Sequence, residues 1–245
     1  MLSTKKKKFY FKATPSSSMA WKTFRGDYFA TSRILCGSIS ELGGYTDVSS
    51  NTSTAAAVAA IAYSKCLPVQ SWTESSLNAI TSHGLELAKL MDENTFMDVS
   101  SLMGTRNFPD FNKTVTLKES SRRNGTTDSS NGKFNLLPSA SSIMEDFSRK
   151  RNSYCCIING TSAAVILEPS NMYLFITNGL DEFGVRLSFR RPCVIEIDDL
   201  VDAEAIERLL SSLYAPKLEA KPSTAMNYLY SFVGMTGEAE EMKSK

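Results

Sequence analysis

Few residues of this chain could perform acid–base or nucleophilic chemistry. Its 245 residues include one histidine, His83, which lies one position away from the apolar face of a predicted helix. That placement is typical of a boundary histidine with no catalytic role. The five cysteines are odd in number and lack C-x-x-C spacing, which is typical of reduced thiols inside the cell. They are Cys36, Cys66, Cys155, Cys156 and Cys193.

Several mechanisms lack their usual signatures. The chain contains no G-x-x-x-x-G-K-[ST], no G-x-G-x-x-G after a strand, no G-x-S-x-G and no H-E-x-x-H. One histidine and unclustered cysteines do not supply a four-ligand zinc site, so we predict no metal and no cofactor. The net charge of +1 does not steer the chain toward nucleic acid or an anionic membrane.

Apolar spacing in the first half of the chain predicts two helices behind a short strand. Residues 32–40 are typical of a strand that ends in a turn, and the alanine-rich residues 54–65 of a buried helix with Asn51 or Ser53 as its cap. Thr73 is a plausible cap for the next helix, which we expect to run to about residue 93. Its apolar face would carry Leu77, Ile80, Leu87 and Met91.

The second half predicts an antiparallel sheet. A short helix at 139–150 precedes apolar runs at 154–158, 163–167, 172–176 and 193–197, the first three of them separated by turn residues. Asp202 can cap a last helix with apolar residues at helical spacing, Ile206, Leu209, Leu210 and Leu213. Helices first and an antiparallel sheet after them indicate an α+β domain.

The composition also divides the chain. We expect a flexible basic tail at 1–20, a single α+β domain at 21–214 and a C-terminal tail at 215–245, with residues 118–135 as a disordered loop because apolar side chains are few there. Basic clusters at 5–8 and 122–123 fall in these segments without interleaved aromatic residues, so nucleic-acid binding ranks last. The longest apolar stretch, 55–63, is too short to span a membrane, and the N-terminus lacks a secretory signal. We therefore expect an intracellular protein of the cytoplasm or nucleus.

Four segments carry a more specific pattern: ILCGSISELGG, NTSTAAAVAAIAY, LPVQSWTESSLNAITSHGLELAKLM and CCIINGTSAAVILEPSNMYLFITNGLDEFG. Their order and spacing resemble the papain-like cysteine protease of herpesvirus large tegument proteins and its relatives in animal genomes. Those proteins carry I-L-x-G-S-x-x-Q-G, then G-x-Q-C-T at a helix start, then W-T-x-x-x-L-x-x-I-L-x-x-G-x-x-L, and finally F-D-S-H-S-x-D-x-x-G. The resemblance covers roughly residues 32–214 and rests on the anchors Gly37, Ser38, Trp72, Thr73, Gly84, Phe175, Asp181 and Gly184. It implies a papain-like fold with N-terminal helices packed on an antiparallel sheet.

Every functional position that the resemblance carries over has changed. The nucleophilic cysteine, which a helix N-terminus activates, corresponds to Ser53. The aspartate and histidine of the D-S-H motif correspond to Ile176 and Asn178. Isoleucine cannot accept the hydrogen bond that orients a histidine, and asparagine cannot transfer a proton near neutral pH. The glutamine that helps to bind the oxyanion corresponds to Glu41, whose carboxylate would repel a developing negative charge.

Two functions follow from the resemblance. The first is a non-catalytic protein-binding module, a pseudoprotease that acts as an adaptor or scaffold. Active relatives cleave ubiquitin conjugates, so ubiquitin or a ubiquitin-like protein is its candidate partner. The alternative is a cysteine hydrolase that uses a relocated pair, Cys36 or Cys66 with His83. Triad members act as a unit, and their joint loss favours the pseudoenzyme.

Overall fold

A computed structural model describes eleven segments of the chain: residues 21–25, 33–38, 50–91, 99–127, 136–149, 152–158, 161–177, 180, 191–197, 202–214 and 228–242. The helices in these segments are α1 Ser50–Cys66, α2 Glu74–Ala88, α3 Leu137–Ser148 and α4 Ala203–Tyr214. The strands are β1 Lys22–Thr23, β2 Arg33–Cys36, β3 Gly104–Phe108, β4 Lys113–Thr127, β5 Ser153–Ile158, β6 Thr161–Leu167, β7 Met172–Ile176, β8 Cys193–Ile197 and β9 Tyr228–Glu241. No helix within these segments is long and apolar enough to cross a membrane.

The described strands form one nine-stranded sheet in the order β1-β2-β8-β7-β6-β5-β9-β4-β3. All neighbouring strands are antiparallel, and β5, β6, β7 and β8 pair in sequence as a meander. The last described strand, β9, lies between β5 and β4 and so connects the meander to the hairpin of β3 and β4. This α+β architecture confirms the predicted fold class.

Two layers of helix cover the sheet, one on each face. Helices α1 and α2 pack on one face with the apolar cluster that includes Tyr173 and Phe175. Helices α3 and α4 cover the other face with the cluster that includes Leu174 and Ile176. Because both faces are covered, the central strands are apolar on both sides and bury nearly every residue.

Helix α1 is buried on all sides because its alanines let neighbouring elements approach closely. Its residues 55–62 are almost fully buried, and α1 packs against α2 on one side and β6 on the other. Gly84 of α2 faces Ala56, where an added Cβ would lie 2.6 Å from the Ala56 Cα. The two helices therefore touch backbone to backbone at this point.

Most predicted elements are confirmed. Thr73 caps α2 in a reciprocal capping box with Ser76, and the Asp202 carboxylate accepts the Ala205 N–H at 2.7 Å at the start of α4. Helix α2 ends at Ala88, earlier than predicted. Of the predicted α2 face, Leu77, Ile80 and Met91 are buried, while Leu87 is only half-buried.

Two predicted boundaries are wrong. Residues 118–127, predicted as part of a disordered loop at 118–135, are the second half of β4, and residues 128–135 lie outside the described segments. The predicted tail at 215–245 contains β9, so the domain does not end at residue 214. The reason is the same for both: β4 and β9 pair along their whole length, and β9 buries Phe232, Val233 and Met235. Backbone hydrogen bonds to a distant strand order a sequence that lacks apolar side chains of its own.

Candidate functional site

The first turn of α1 is fastened to the beginning of β6 by hydroxyl groups. The Ser53 Oγ is buried and accepts the backbone N–H of Ser162 at 3.2 Å. The neighbouring Thr54 Oγ1 and the Ser162 Oγ are 2.6 Å apart in a second buried hydrogen bond. The Ser53 hydroxyl therefore already has a structural partner at the helix end where a nucleophile would stand.

The end of β7 lies next to this contact along the sheet. Ile176 pairs with Ala163, the residue that follows Ser162 in β6. The Ile176 side chain, however, belongs to the cluster under α3 and α4, whereas Ser53 lies on the α1 face. The structure thus brings the backbones at positions 53 and 176 to adjacent places in the fold and sends the Ile176 side chain to the opposite face of the sheet.

Thr177 is the residue of this strand end that faces α1. Tyr173 and Phe175 point toward α1, and the alternation and register continued by one residue place Thr177 on the same face, opposite Ser162. Thr177 is buried, and its Oγ1 has no hydrogen-bond partner among the described residues. Asn178 and Glu41, the other two predicted site positions, lie outside the described residues.

The one histidine of the chain, His83, has an aromatic neighbour. His83 lies in α2 and packs edge-on against Phe108, with ring centroids 5.4 Å apart. Its Nδ1 is buried, and no residue in the described segments forms a hydrogen bond with it. No described residue orients this imidazole as a carboxylate would in a triad.

Neither proposed relocated pair is assembled. The Cys36 thiol belongs to the cluster under α3 and α4 and contacts the Leu180 carbonyl at 3.7 Å, while Phe108, which His83 contacts, belongs to the α1 face. Cys66 is the last residue of α1. His83 is next to Gly84 of α2, which packs on Ala56, and Ala56 lies ten residues before Cys66 in α1. Ten residues of helix correspond to about 15 Å.

All five cysteines are buried, and none of them forms a disulfide. Burial raises the pKa of the Cys155 and Cys193 thiols to about 12 in each case. The pKa of Cys66 is also raised by burial, and Lys113 lowers it only in part. None of these three thiols is poised to ionise near neutral pH.

Comparison with known protein families identifies the family of this chain. Residues 42–176, more than half of the chain, match the family described as the herpesvirus tegument protein, N-terminal conserved region. The chain belongs to this family. The matched range begins before α1 and ends with β7, so it contains Ser53, Ser162 and Ile176.

A solved structure has a fold similar to that of this chain. It is the ubiquitin-specific protease encoded by murine cytomegalovirus tegument protein M48, in complex with a ubiquitin-based suicide substrate. The two chains are 15% identical and superpose with a TM-score of 0.53, covering 86% of this chain and 88% of that one. The protein therefore has the fold of the M48 protease domain. No curated protein sequence matched the chain.

Several described residues on which the tegument resemblance rests have structural roles. Ser38 exchanges two hydrogen bonds with the Asn78 side chain of α2, at 3.2 and 3.0 Å, which ties the turn after β2 to that helix. Trp72 is fully buried and donates its indole N–H to the Leu67 carbonyl at 3.0 Å. The shared anchors thus maintain the scaffold that surrounds the site.

Ser162 and Thr177 are site residues that were not predicted from the sequence. The usable signal for Ser162 is a polar side chain in the otherwise apolar run SAAVIL, which follows the predicted turn residues NGT. A buried hydroxyl in such a strand needs a hydrogen-bond partner, and the nearest polar residues of a packed alanine helix are those of its first turn.

Proposed function

We propose that the chain is a non-catalytic protein-binding module built on the deubiquitinase fold of the tegument family. In this view it acts as an adaptor or scaffold in a protein complex and retains a contact with ubiquitin or a ubiquitin-like protein. One observation carries the proposal: the hydroxyl at the nucleophile position, Ser53, is used to hold α1 to β6 through the Ser162 N–H.

The chemistry of a serine nucleophile supports this conclusion. A serine hydroxyl scarcely ionises near neutral pH and needs an adjacent base to attack a carbonyl. The position that supplies the base in relatives is Asn178, whose amide cannot carry a proton in this way, and the sole histidine lies on α2. A carboxylate introduced at position 176 would enter an apolar cluster, so Ile176 also offers no place for the orienting acid.

The distribution of kept and changed residues supports a binding role. The kept anchors, Ser38, Trp72, Thr73 and Gly84, form hydrogen bonds, a cap and a close helix contact that stabilise the domain. The changed positions are those that relatives use for chemistry. A scaffold that persists while its reactive groups are replaced is what a pseudoenzyme requires.

The ubiquitin part of the proposal rests on the M48 structure, which holds a ubiquitin-based substrate on the same fold. It is tested by titrating isotope-labelled ubiquitin with the full chain and following the ubiquitin amide signals by NMR. We expect saturable shifts on one surface of ubiquitin. Unchanged signals at millimolar chain would refute ubiquitin as the partner.

The non-catalytic part has its own test. Ser53→Ala removes the hydroxyl and should lower the free energy of unfolding by about 1 kcal/mol, the usual contribution of one hydrogen bond. Hydrolysis of a fluorogenic ubiquitin amide should be at background for the parent chain and for Ser53→Ala alike. Hydrolysis by the parent that Ser53→Ala abolishes would show that Ser53 is a nucleophile. Ser82→Ala, at an exposed serine of α2, is the matched control.

A further inference from the structure

A pocket of about 420 Å³ opens at the C-terminal end of α1. It lies between the residues that follow α1 and the turn that joins β6 to β7, and its wall includes Lys65, Pro68, Leu167, Glu168 and Tyr173. Lys65 is twelve residues after Ser53 in α1, which corresponds to about 18 Å along the helix. The pocket is therefore separate from the site at the start of α1.

Lys65 presents a half-buried cation in this pocket. Its side chain packs against β9, where Cγ and Cε lie 3.3 Å from the place of a Cβ at Gly237. Within the described part of the chain, its ammonium group forms neither a hydrogen bond nor an ion pair. The Cys66 carbonyl at the end of α1 is capped instead by Lys113 Nζ at 3.1 Å. Burial lowers the pKa of Lys65, and the negative charge of Glu168 offsets this lowering only in part.

Glu168 presents the opposite charge in the same pocket. One carboxylate oxygen, Oε1, accepts the Val69 N–H at 2.7 Å, which fixes the group in the pocket wall. Burial raises the pKa of Glu168, and Lys65 lowers it only in part. Among the described residues Lys65 and Glu168 form no contact ion pair, so two opposite charges line one pocket and attract each other only at longer range.

We propose that this pocket binds a small zwitterion of the α-amino acid type with an uncharged side chain. The ligand's carboxylate would pair with Lys65 Nζ and its ammonium group with the Glu168 carboxylate, while its side chain lies against Pro68 and Leu167. Charges that are partly withdrawn from water are costly unless they are paired, and a zwitterion compensates both at once. A dianion such as phosphate is disfavoured, because a single lysine faces it and Glu168 repels it.

Three probes of one shape test this assignment on the full chain. L-leucine carries both charges, 4-methylpentanoate lacks the ammonium group, and 3-methylbutylamine lacks the carboxylate. Binding is followed by the backbone amide signals of Gln70 and Asn171, which line the pocket. We expect saturable shifts with L-leucine, and at least tenfold weaker binding of each single-charge analogue. L-glutamine, a second neutral amino acid, covers the case of a polar side chain.

Variants locate the charges. Lys65→Met keeps the aliphatic stem against Gly237, and Glu168→Gln keeps an oxygen for the Val69 N–H, so both should fold; each should weaken amino acid binding at least tenfold. Lys89→Met is the control, because this exposed lysine follows α2 at the other end of the helix pair. Amide spectra and melting temperatures confirm that each variant is folded. No saturable shift with either amino acid, equal binding of a single-charge analogue, or unchanged binding by folded Lys65→Met would overturn the proposal.

Discussion

Replacing Gly84 by alanine should destabilise the protein, although alanine is the better helix former. An added Cβ would lie 2.6 Å from the Ala56 Cα and 2.9 Å from the Ala56 N, far inside the ordinary separation of about 3.5 to 4.0 Å. The atoms that it meets are backbone atoms of a buried helix, so no side chain can rotate out of the way. Helices α1 and α2 would have to separate by about 1 Å.

The size of the effect follows from two opposing contributions. Alanine favours a helix interior over glycine by about 1 kcal/mol. Overpacking costs about 1 to 3 kcal/mol, and the upper end applies here because the contact is with backbone. The net loss is then about 2 kcal/mol, which lowers the melting temperature by about 4 to 8 °C in a chain of this size.

Urea unfolding followed by far-ultraviolet circular dichroism measures this loss. Ser82→Ala is the matched control, because Ser82 is exposed on the same helix and should change stability by less than about 0.5 kcal/mol. Adding Ala56→Gly to Gly84→Ala removes only the contact with the Ala56 methyl at 2.8 Å, so most of the clash should remain. A Gly84→Ala variant that is more stable than the parent would refute the backbone contact between α1 and α2.

Three further predictions follow from burial and charge. Leu77→Ala should lower the free energy of unfolding by about 2 to 5 kcal/mol, because Leu77 is fully buried. Leu87→Ala should lower it by less than half of that, because Leu87 is half-buried, and equal losses of the two variants in urea unfolding would contradict this expectation. A hydrogen bond from Arg33 holds the pKa of Glu196 below its ordinary value of 4.5. The ion pair therefore stabilises the folded protein fully above pH 4.5, and this stabilisation is lost as the pH falls through the lowered pKa. The unfolding free energies of the parent and Glu196→Gln should converge on acidification, and a difference that grows instead would count against the ion pair. The Cys193 thiol, whose pKa burial raises to about 12, should not react with Ellman's reagent at about pH 8 until the chain unfolds, and fast labelling of the native protein would contradict its burial.

Local sequence signals predict the helices and the meander well, because each of these elements carries its own pattern. The alanine-rich run of α1, the Thr73 cap of α2 and the turns that separate β5, β6 and β7 are all local features. Pairing between β4 and β9 is different, since their residues are more than a hundred positions apart. No local pattern in the polar second half of β4 indicates which strand will order it.

The candidate site shows the same division. The helix start and the family pattern point to Ser53. The prediction that Asn51 or Ser53 caps this helix is wrong, because α1 begins at Ser50 and both residues lie inside its first turn. The direction of the Ile176 side chain could not be predicted, because β7 is covered on both faces and reads as a continuous apolar run without alternation. The contact between Ser53 and Ser162 joins residues 109 positions apart and depends on how α1 lies over β6.

The central claim is that the fold persists without its chemistry, and a ubiquitin probe with a C-terminal electrophile tests it most directly. The full chain is incubated with the probe, and intact-mass spectrometry records any covalent adduct, with the M48 protease domain as the positive control. We predict that the mass of the chain does not change. An adduct on Cys36 or Cys66 that disappears in a folded His83→Ala variant would contradict the claim and establish a cysteine hydrolase with a relocated catalytic pair.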